Sequence, residues 1–134
     1  MKFVDTSFWV ALQFVRDAHH EAAERIWNGR SDGLITTNHV IGETWTFLRR
    51  RLGFAAATAF VDRVPTTAGL IVRHADEGIE REAWDWLRRH DEREFSFVDA
   101  VSFGFMRRHR LLEAMAFDGD FSAAGFIEVR PALP

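Results

Sequence analysis

The stretch Phe3-Val4-Asp5-Thr6-Ser7 decides how the chain begins to fold. Its apolar start predicts a short buried strand over Lys2–Asp5, and this strand stops at an acid. The residues that follow, Thr6–Phe14, predict a helix that Thr6 or Ser7 can cap with a side-chain oxygen. Because the residues before it are buried, we expect the carboxylate of Asp5 at the mouth of the core. An Asp before a helix can also cap it, so a purely structural role stays open.

Outward from this start, short apolar strands alternate with helical segments along the chain. We predict further strands at Leu34–Thr36, Leu70–Val72, Met115–Phe117 and, as an edge strand, Ile127–Val129, and further helices at Ala18–Asn28, Asn38–Leu52, Phe54–Val64, Asp76–His90 and Val98–His109. This alternation is typical of an α/β domain with a mostly parallel central sheet. The 134 residues have the length of one ordinary domain, and we assign it to residues 1–134.

Composition narrows the classes of protein that this chain can belong to. It is 47% hydrophobic and 28% charged, as globular proteins are, and its net charge of −3 argues against a basic nucleic-acid coat. It has no cysteine, which excludes disulfides, thiolate zinc sites and cysteine nucleophiles. No apolar run approaches the roughly 18 residues of a membrane span. The acid at position 5 also interrupts any signal peptide, so we expect a soluble, cytoplasmic protein without a membrane partner.

Two acids follow predicted strands. Asp5 ends the first strand, and Asp118 comes directly after the apolar Met115–Phe117. Because ligands of parallel sheets bind outside the carboxyl ends of the strands, both acids are candidates for one site. Asp118 and Gly119 also fit a tight turn, which is the structural alternative. Asp120, two residues further on, is a candidate for a second or alternate ligand.

Two further acids lie in predicted helices. Glu43 is within the first two turns of Asn38–Leu52, where it also fits a solvated helix face. Asp99 is flanked by apolar residues, and a buried charge needs a partner or a metal ion. Ser96 and Asp99 also fit a capping box, S-x-x-D before an apolar run. The two interpretations of Asp99 are compatible, because one helix end can orient a metal ligand.

Together these acids predict a site for a hard divalent cation. Mg²⁺ and Mn²⁺ prefer carboxylate oxygens, and several carboxylates near one point repel each other unless a cation neutralises them. Two such ions, about 3.5–4 Å apart, can activate water and stabilise the leaving oxygen in phosphodiester cleavage. The sequence contains no Walker loop and no G-x-G-x-x-G, H-E-x-x-H or G-x-S-x-G motif, so these other chemistries have no support.

Basic side chains form two clusters, Arg49–Arg51 and Arg107–Arg110. Each cluster lies on a predicted helix that also carries a candidate acid. The clusters can hold an RNA backbone through its phosphates. They can equally be solvated helix ends that match the helix dipole.

Four motifs, in order along the chain, resemble the PIN domain family and, more narrowly, the VapC-type toxins of bacterial toxin–antitoxin pairs. They are Phe3–Ser7, the helix-borne Glu43, Ser96–Phe103, and Ala116–Phe121 followed by Ala124-Gly125-Phe126. The resemblance implies a three-layer α/β/α sandwich and cleavage of RNA by metal-activated water, with Mg²⁺ or Mn²⁺ as cofactor and no covalent enzyme intermediate.

The resemblance also assigns roles to the acids. Asp5 and Asp99 hold the principal ion, Glu43 and Asp118 complete the site, and Thr6 or Ser7 steadies the cluster by hydrogen bonds. Many relatives carry His or Arg near the position of Asp120, which leaves the share between Asp118 and Asp120 open.

Partners are implied by the resemblance as well. They are an RNA substrate, a second copy of the chain in a homodimer, and a cognate antitoxin that blocks the acidic pocket with a basic side chain. The aromatic residues considered for an apolar antitoxin groove, or else for the core, are Trp9, Phe14, Trp45 and Phe47. Two other hypotheses stay open: a PIN-like nuclease for RNA maturation or DNA flaps without an antitoxin, and a degenerate PIN domain that only binds.

Overall fold

The computed structural model describes residues 1–133, and these contain a five-stranded, all-parallel sheet and seven helices. The strands are β1 (Lys2–Val4), β2 (Leu34–Thr37), β3 (Leu70–Arg73), β4 (Glu113–Met115) and β5 (Ile127–Glu128). The helices are α1 (Thr6–Gln13), α2 (His20–Asn28), α3 (Asn38–Leu52), α4 (Phe54–Arg63), α5 (Glu77–Arg88), α6 (Phe97–Arg108) and α7 (Asp120–Ala123), and a 3₁₀ turn at Val64–Thr66 follows α4. The strand order is β3-β2-β1-β4-β5, which confirms the predicted α/β class.

Helices cover both faces of the sheet. Side chains alternate between the faces along a strand. On one face, Phe3 packs against Phe105 of α6 and Phe121 of α7, with ring centroids 5.9 and 6.0 Å apart. On the other face, Lys2 and its register partner Leu34 line a cavity with residues of α2. The architecture is therefore the α/β/α sandwich that the family resemblance implies.

Side-chain caps fix where the helices after β1 and β2 begin. Asp5 accepts a hydrogen bond from the main-chain N–H of Ser7 at the start of α1. Thr37 accepts one from Val40 at the start of α3. Such caps satisfy N–H groups that have no partner within the helix. They also place polar side chains at the carboxyl ends of the two strands.

The predicted element boundaries agree with the structure to within two residues. Strand β4 shows why a predicted boundary differs from the observed one. We predicted this strand at Met115–Phe117, but it spans Glu113–Met115. The carbonyl of Ala116 accepts a hydrogen bond from Arg130, and the N–H of Phe117 donates one to Ser7 Oγ. Side chains thus form hydrogen bonds with the main-chain groups that would otherwise pair with a neighbouring strand if β4 were longer. Asp118 consequently lies three residues beyond β4 instead of directly after it. The short α7 was not predicted.

Within residues 1–133, none of the helices has both the length and the apolar composition that crossing a lipid bilayer requires.

Candidate functional site

A cleft of about 390 Å³ lies at the carboxyl ends of β1 and β4, and we call it the acid cleft. It brings together the four acids that the sequence analysis selected from four separate segments. The residues lining it are Asp5, Thr6, Ser7, Val10, Asp17, His19, Glu43, Phe47, Asp99, Phe117 and Asp118. No Lys or Arg side chain is among these described residues, so the lining is uniformly acidic in its charged groups.

Asp5 is the most deeply placed acid of the cleft, with 2% of its surface exposed. Its carboxylate accepts hydrogen bonds from the main-chain N–H of Ser7, at 3.1 Å, and from Ser7 Oγ, at 2.7 Å. Burial, and then the negative charge of Asp118, raise the pKa of Asp5 well above its usual range, although the Ser7 bonds oppose this. A charge in this position is therefore unfavourable unless a cation accompanies it.

Asp99 enters the cleft from the first turn of α6. The predicted capping box is present: Asp99 N–H donates to Ser96 Oγ, and Ser96 N–H donates to the Asp99 carboxylate, both at 3.0 Å. Burial, followed by the charges of Asp118 and Asp120, raises the pKa of Asp99 to about 7 against the lowering effect of the Ser96 bonds. The helix start thus fixes a carboxylate whose ionised form lacks a positive partner.

Asp118 and Asp120 approach Asp99 from the loop after β4. One carboxylate oxygen of each of these three acids lies within 4.8 Å of the others. Partial burial of its carboxyl group, with the charges of Asp120 and Glu128, raises the pKa of Asp118 to about 6, although much of the residue is exposed. The Asp120 carboxylate accepts hydrogen bonds from Arg93 Nε at 3.0 Å and is paired with Arg93 Nη2 at 2.9 Å. Asp120 is therefore already neutralised, whereas Asp118 is not.

Glu43 projects from α3 as a half-buried side chain between two surface depressions. It lines the acid cleft, and it also lines a neighbouring groove of about 260 Å³ with Thr46, Phe47, Arg50 and Arg51. Of the two predicted basic clusters, the one on α3 therefore adjoins the acids. In the other cluster, Arg108 is paired with Asp76 and Glu82 at the far end of α6.

Thr6 and Ser7 have different surroundings, although either was expected to steady the acids. Ser7 makes the bonds to Asp5, and its Oγ also accepts the N–H of Phe117 at 3.0 Å. Thr6 Oγ1 is buried and has no hydrogen-bond partner within residues 1–133. A buried hydroxyl without a partner is uncommon and indicates a group supplied by solvent or a ligand.

The donor set fits a hard divalent cation. Carboxylate oxygens from Asp99, Asp118 and Asp120 lie close enough together to share one ion. The raised pKa values of Asp5, Asp99 and Asp118 have a common cause, which is burial of negative charge without a counter-charge. A bound cation removes that cost. This group of three does not include Asp5, which the resemblance implies, together with Asp99, for the principal ion.

Several residues of the site were not singled out from the sequence. Asp17 and His19 line the cleft from the segment between α1 and α2, and Arg93 reaches Asp120 from the segment before α6. None of these three residues belongs to a recognised motif or to the periodic apolar pattern of a predicted helix or strand. Their proximity to the acids depends on the tertiary fold, since Arg93 and Asp120 are 27 positions apart in the chain.

The aromatic residues considered for a groove divide between core and surface. Trp9 is buried and packs edge-on against Trp27 and Phe60, so it belongs to the core. The half-buried ones are Phe14, Trp45 and Phe47. Only Phe47, among these, lines the acid cleft within the described residues.

Comparison with known proteins places this arrangement among characterised relatives. The model of the PIN domain family matches residues 2–127. A protein of Mycobacterium tuberculosis named 23S rRNA-specific endonuclease VapC20 is 53% identical over 131 residues, which cover 98% of this chain and 99% of the relative. A VapC ribonuclease of Archaeoglobus fulgidus is 27% identical over 124 residues, covering 89% of this chain and 78% of the relative.

A solved structure shows the same fold. It is the crystal structure of Mycobacterium tuberculosis VapC20, described as a sarcin–ricin loop cleaving toxin. The two structures superimpose with a TM-score of 0.93 at 53% identity, over 98% of this chain and all of the other.

Proposed function

The chain belongs to the PIN domain family of metal-dependent nucleases, and from this premise we propose that it is an endoribonuclease toxin whose target is the sarcin–ricin loop of 23S rRNA. The observation that carries the proposal is the acid cleft, in which Asp5, Glu43, Asp99 and Asp118 meet. The toxin relative named for 23S rRNA cleavage aligns over 98% of this chain, which supports the same substrate here. We propose that residues 1–134 form a single nuclease domain.

In this proposal the acids divide the work by position. Asp5 and Asp99 hold the principal Mg²⁺ or Mn²⁺ ion from the floor of the cleft, and Glu43 and Asp118 complete the site from its walls. When bound, the divalent cation neutralises the carboxylates and supplies an activated water for phosphodiester hydrolysis. Ser7 fixes the orientation of Asp5, and Ser96 fixes that of Asp99. Asp120 contributes less than Asp118, because Arg93 already occupies its carboxylate.

The RNA backbone leaves the cleft along α3. Arg50 and Arg51 line the groove that shares Glu43 and Phe47 with the acid cleft. Guanidinium groups suit phosphate because they donate two parallel hydrogen bonds. The overall charge of −3 does not oppose this path, because the positive groups that matter are local to the groove.

We propose the partners of this chain by analogy with its family. VapC proteins pair with antitoxins, and we propose a cognate antitoxin that places a basic side chain among the unneutralised acids of the cleft.

A homodimer is part of the proposal, and sedimentation of the purified protein tests it. A cytoplasmic location is also part of it, since ribosomal RNA is found there. The neighbouring genes also test the antitoxin. An adjacent gene for a small DNA-binding protein would support the toxin–antitoxin pair, and the absence of such a gene would favour an RNA-processing role.

Metal-dependent cleavage tests the central proposal. Purified protein, freed of antitoxin, is incubated with ribosomes and with total RNA in Mn²⁺, in Mg²⁺ and in EDTA, and the fragment ends are mapped. We expect cleavage in 23S rRNA with either metal ion and none in EDTA. Asp5→Asn should lower the rate more than about 100-fold, because losing even an indirect support of a metal site commonly costs 10–100-fold.

The control for Asp5→Asn is Asp32→Asn, an exposed acid outside the acid cleft. Its rate should match the wild type. Cleavage that persists in EDTA, or in a folded Asp5→Asn protein, would contradict the proposal. A folded protein that cleaves no RNA would favour a domain that only binds.

A further inference from the structure

Three aromatic rings are stacked in sequence from the core to the acid cleft. The rings of Phe8 and Phe117 are 5.7 Å apart and inclined by 14°, and those of Phe117 and His19 are 4.6 Å apart and inclined by 1°. Phe8 is fully buried, Phe117 is half-buried and His19 is exposed. One face of the His19 ring is covered by Phe117, so its exposed surface includes the opposite face.

This ring column is tied to the acids. Phe117 and His19 both line the acid cleft, and Asp118 directly follows Phe117. The N–H of Phe117 donates to Ser7 Oγ, and that hydroxyl donates to Asp5. The guanidinium of Arg130 lies 5.5 Å from the centre of the Phe117 ring. The His19 ring is therefore held in a fixed position relative to the carboxylates.

Among the described residues, stacking on Phe117 holds the His19 ring, and no hydrogen bond or ion pair of the ring itself requires this orientation. Within residues 1–133, the only hydrogen bond of His19 to a side chain is the one its main-chain N–H donates to Asp17, and its ring has no ion pair. The ring adds little to the core because it is exposed. A flat, rigid and solvent-facing ring beside a catalytic cleft suits a flat ligand.

We propose that the open face of His19 is a stacking platform for one unpaired base of the RNA, next to the bond that is cleaved. This inference rests on the proposed function and deepens it. Unpaired RNA bases stack on Phe, Tyr, Trp and His side chains. The charged groups of the cleft lining are acids, which repel phosphate, so an uncharged contact with a base gains importance there.

Variants of His19 separate stacking from charge. In single-turnover cleavage of a sarcin–ricin loop hairpin, His19→Ala should raise the RNA concentration at half-maximal rate by between about 5-fold and about 140-fold, since one stacked base contributes about 1–3 kcal/mol. The rate at saturating RNA should change far less. His19→Phe keeps a flat ring and should restore the affinity, whereas His19→Lys offers a positive charge without a ring and should not.

The matched control is His109→Ala. His109 is also an exposed histidine that packs against a core ring, Phe105, with ring centroids 4.3 Å apart and a tilt of 38°. It follows α6 at the end opposite Asp99, and the 12 residues of that helix span about 18 Å. Its substitution should leave the affinity unchanged. Melting temperatures of all variants show whether folding is retained.

Abasic nucleotides identify the base that stacks. Each unpaired nucleotide beside the cleavage site is replaced in turn by an abasic residue, and wild type is compared with His19→Ala. At the stacking position, the abasic change should weaken the wild type about tenfold and the His19→Ala protein hardly at all, because the two changes remove the same contact. Equal weakening of both proteins at every position would overturn the platform.

The remaining outcomes are also decisive. An unchanged His19→Ala affinity, or a loss that His19→Phe does not restore, would overturn the inference while wild-type cleavage leaves the proposed function intact. If the folded wild-type protein cleaves no RNA, the proposed function fails and the platform fails with it.

Discussion

At the scale of single residues, Asp118 and Asp120 show how two acids two positions apart acquire different properties. Both belong to the group of oxygens that can share an ion. Asp120 is held by two contacts with Arg93, whereas the carboxyl group of Asp118 faces other acids and its pKa is raised to about 6. We therefore expect a cation to bind Asp118 more favourably than Asp120, because at Asp118 the cation does not compete with a guanidinium group.

We predict that Asp118→Asn lowers the cleavage rate at least tenfold more than Asp120→Asn does. Rates are measured under single-turnover conditions, and calorimetric titration with Mn²⁺ should show the larger loss of affinity for the same variant. Circular dichroism provides the folding control. Equal losses, or a greater loss for Asp120→Asn, would make Asp120 the principal ligand of the pair.

Glu43 offers a test in which activity and stability separate. Its side chain is half-buried and makes no hydrogen bond or ion pair within residues 1–133. Glu43→Gln should therefore change the free energy of unfolding by less than about 0.5 kcal/mol, as surface substitutions usually do. The cleavage rate should nevertheless fall at least tenfold, because the proposed carboxylate ligand becomes neutral. Urea titration and cleavage kinetics measure the two effects, and a stable, fully active variant would remove Glu43 from the site.

At the scale of elements, the capping box at the start of α6 includes Asp99, the carboxylate that we propose as a metal ligand. Ser96→Ala removes the hydroxyl that accepts the Asp99 N–H, and the free energy of unfolding should fall by about 1 kcal/mol. The cleavage rate should change less than tenfold, since the main-chain N–H of residue 96 still donates to the Asp99 carboxylate. Ser96→Thr retains the cap and is the matched control. A loss of activity as severe as that of Asp99→Asn would show that the hydroxyl itself acts in the reaction.

Local patterns predicted the elements because their signals are local. The apolar run before Asp5 and the S-x-x-D spacing at Ser96 specify a strand end and a helix start from a few adjacent residues. The end of β4 could not be predicted in the same way, because Ser7 and Arg130 bond to its last main-chain groups from distant positions. The four residues of α7 are too few to show a helical period.

At the scale of the whole molecule, the parallel sheet explains how acids from positions 5, 43, 99 and 118 meet. Each is near the carboxyl end of a strand or the first turns of a helix, and parallel pairing brings such ends to one edge. The alternation of strands and helices predicted this common edge for Asp5 and Asp118, which follow strands, but not for the helix-borne Glu43 and Asp99. It could not predict that Asp99, Asp118 and Asp120 form a group within 4.8 Å, since that group depends on the path of the β4–α7 loop and on Arg93.

Because buried acids meet at this edge of the sheet, we expect the free energy of unfolding of the whole molecule to depend on pH and on divalent metal ions. Asp99 and Asp118 have folded-state pKa values of about 7 and about 6, against an ordinary value of 3.8 that we assign to the unfolded chain. The folded protein therefore binds protons more tightly than the unfolded chain does. The stabilisation from these groups is complete below pH 3.8 and is lost as the pH rises through 6 and 7. Without metal, the free energy of unfolding should fall between pH 5 and pH 8 on account of these acids.

Divalent cations should reverse this trend, because they bind the deprotonated carboxylates and stabilise only the folded state. In melting experiments with EDTA, Mg²⁺ or Mn²⁺, the stabilisation by metal should be small at pH 5 and largest at pH 8. Asp99→Asn supplies the control, since it removes both a proton-binding group and a proposed metal ligand. Its stability in EDTA should depend less on pH, and added metal should raise its melting temperature less. A wild-type protein whose metal-induced shift is the same at both pH values would show that the raised pKa values and the metal site are not the same carboxylates.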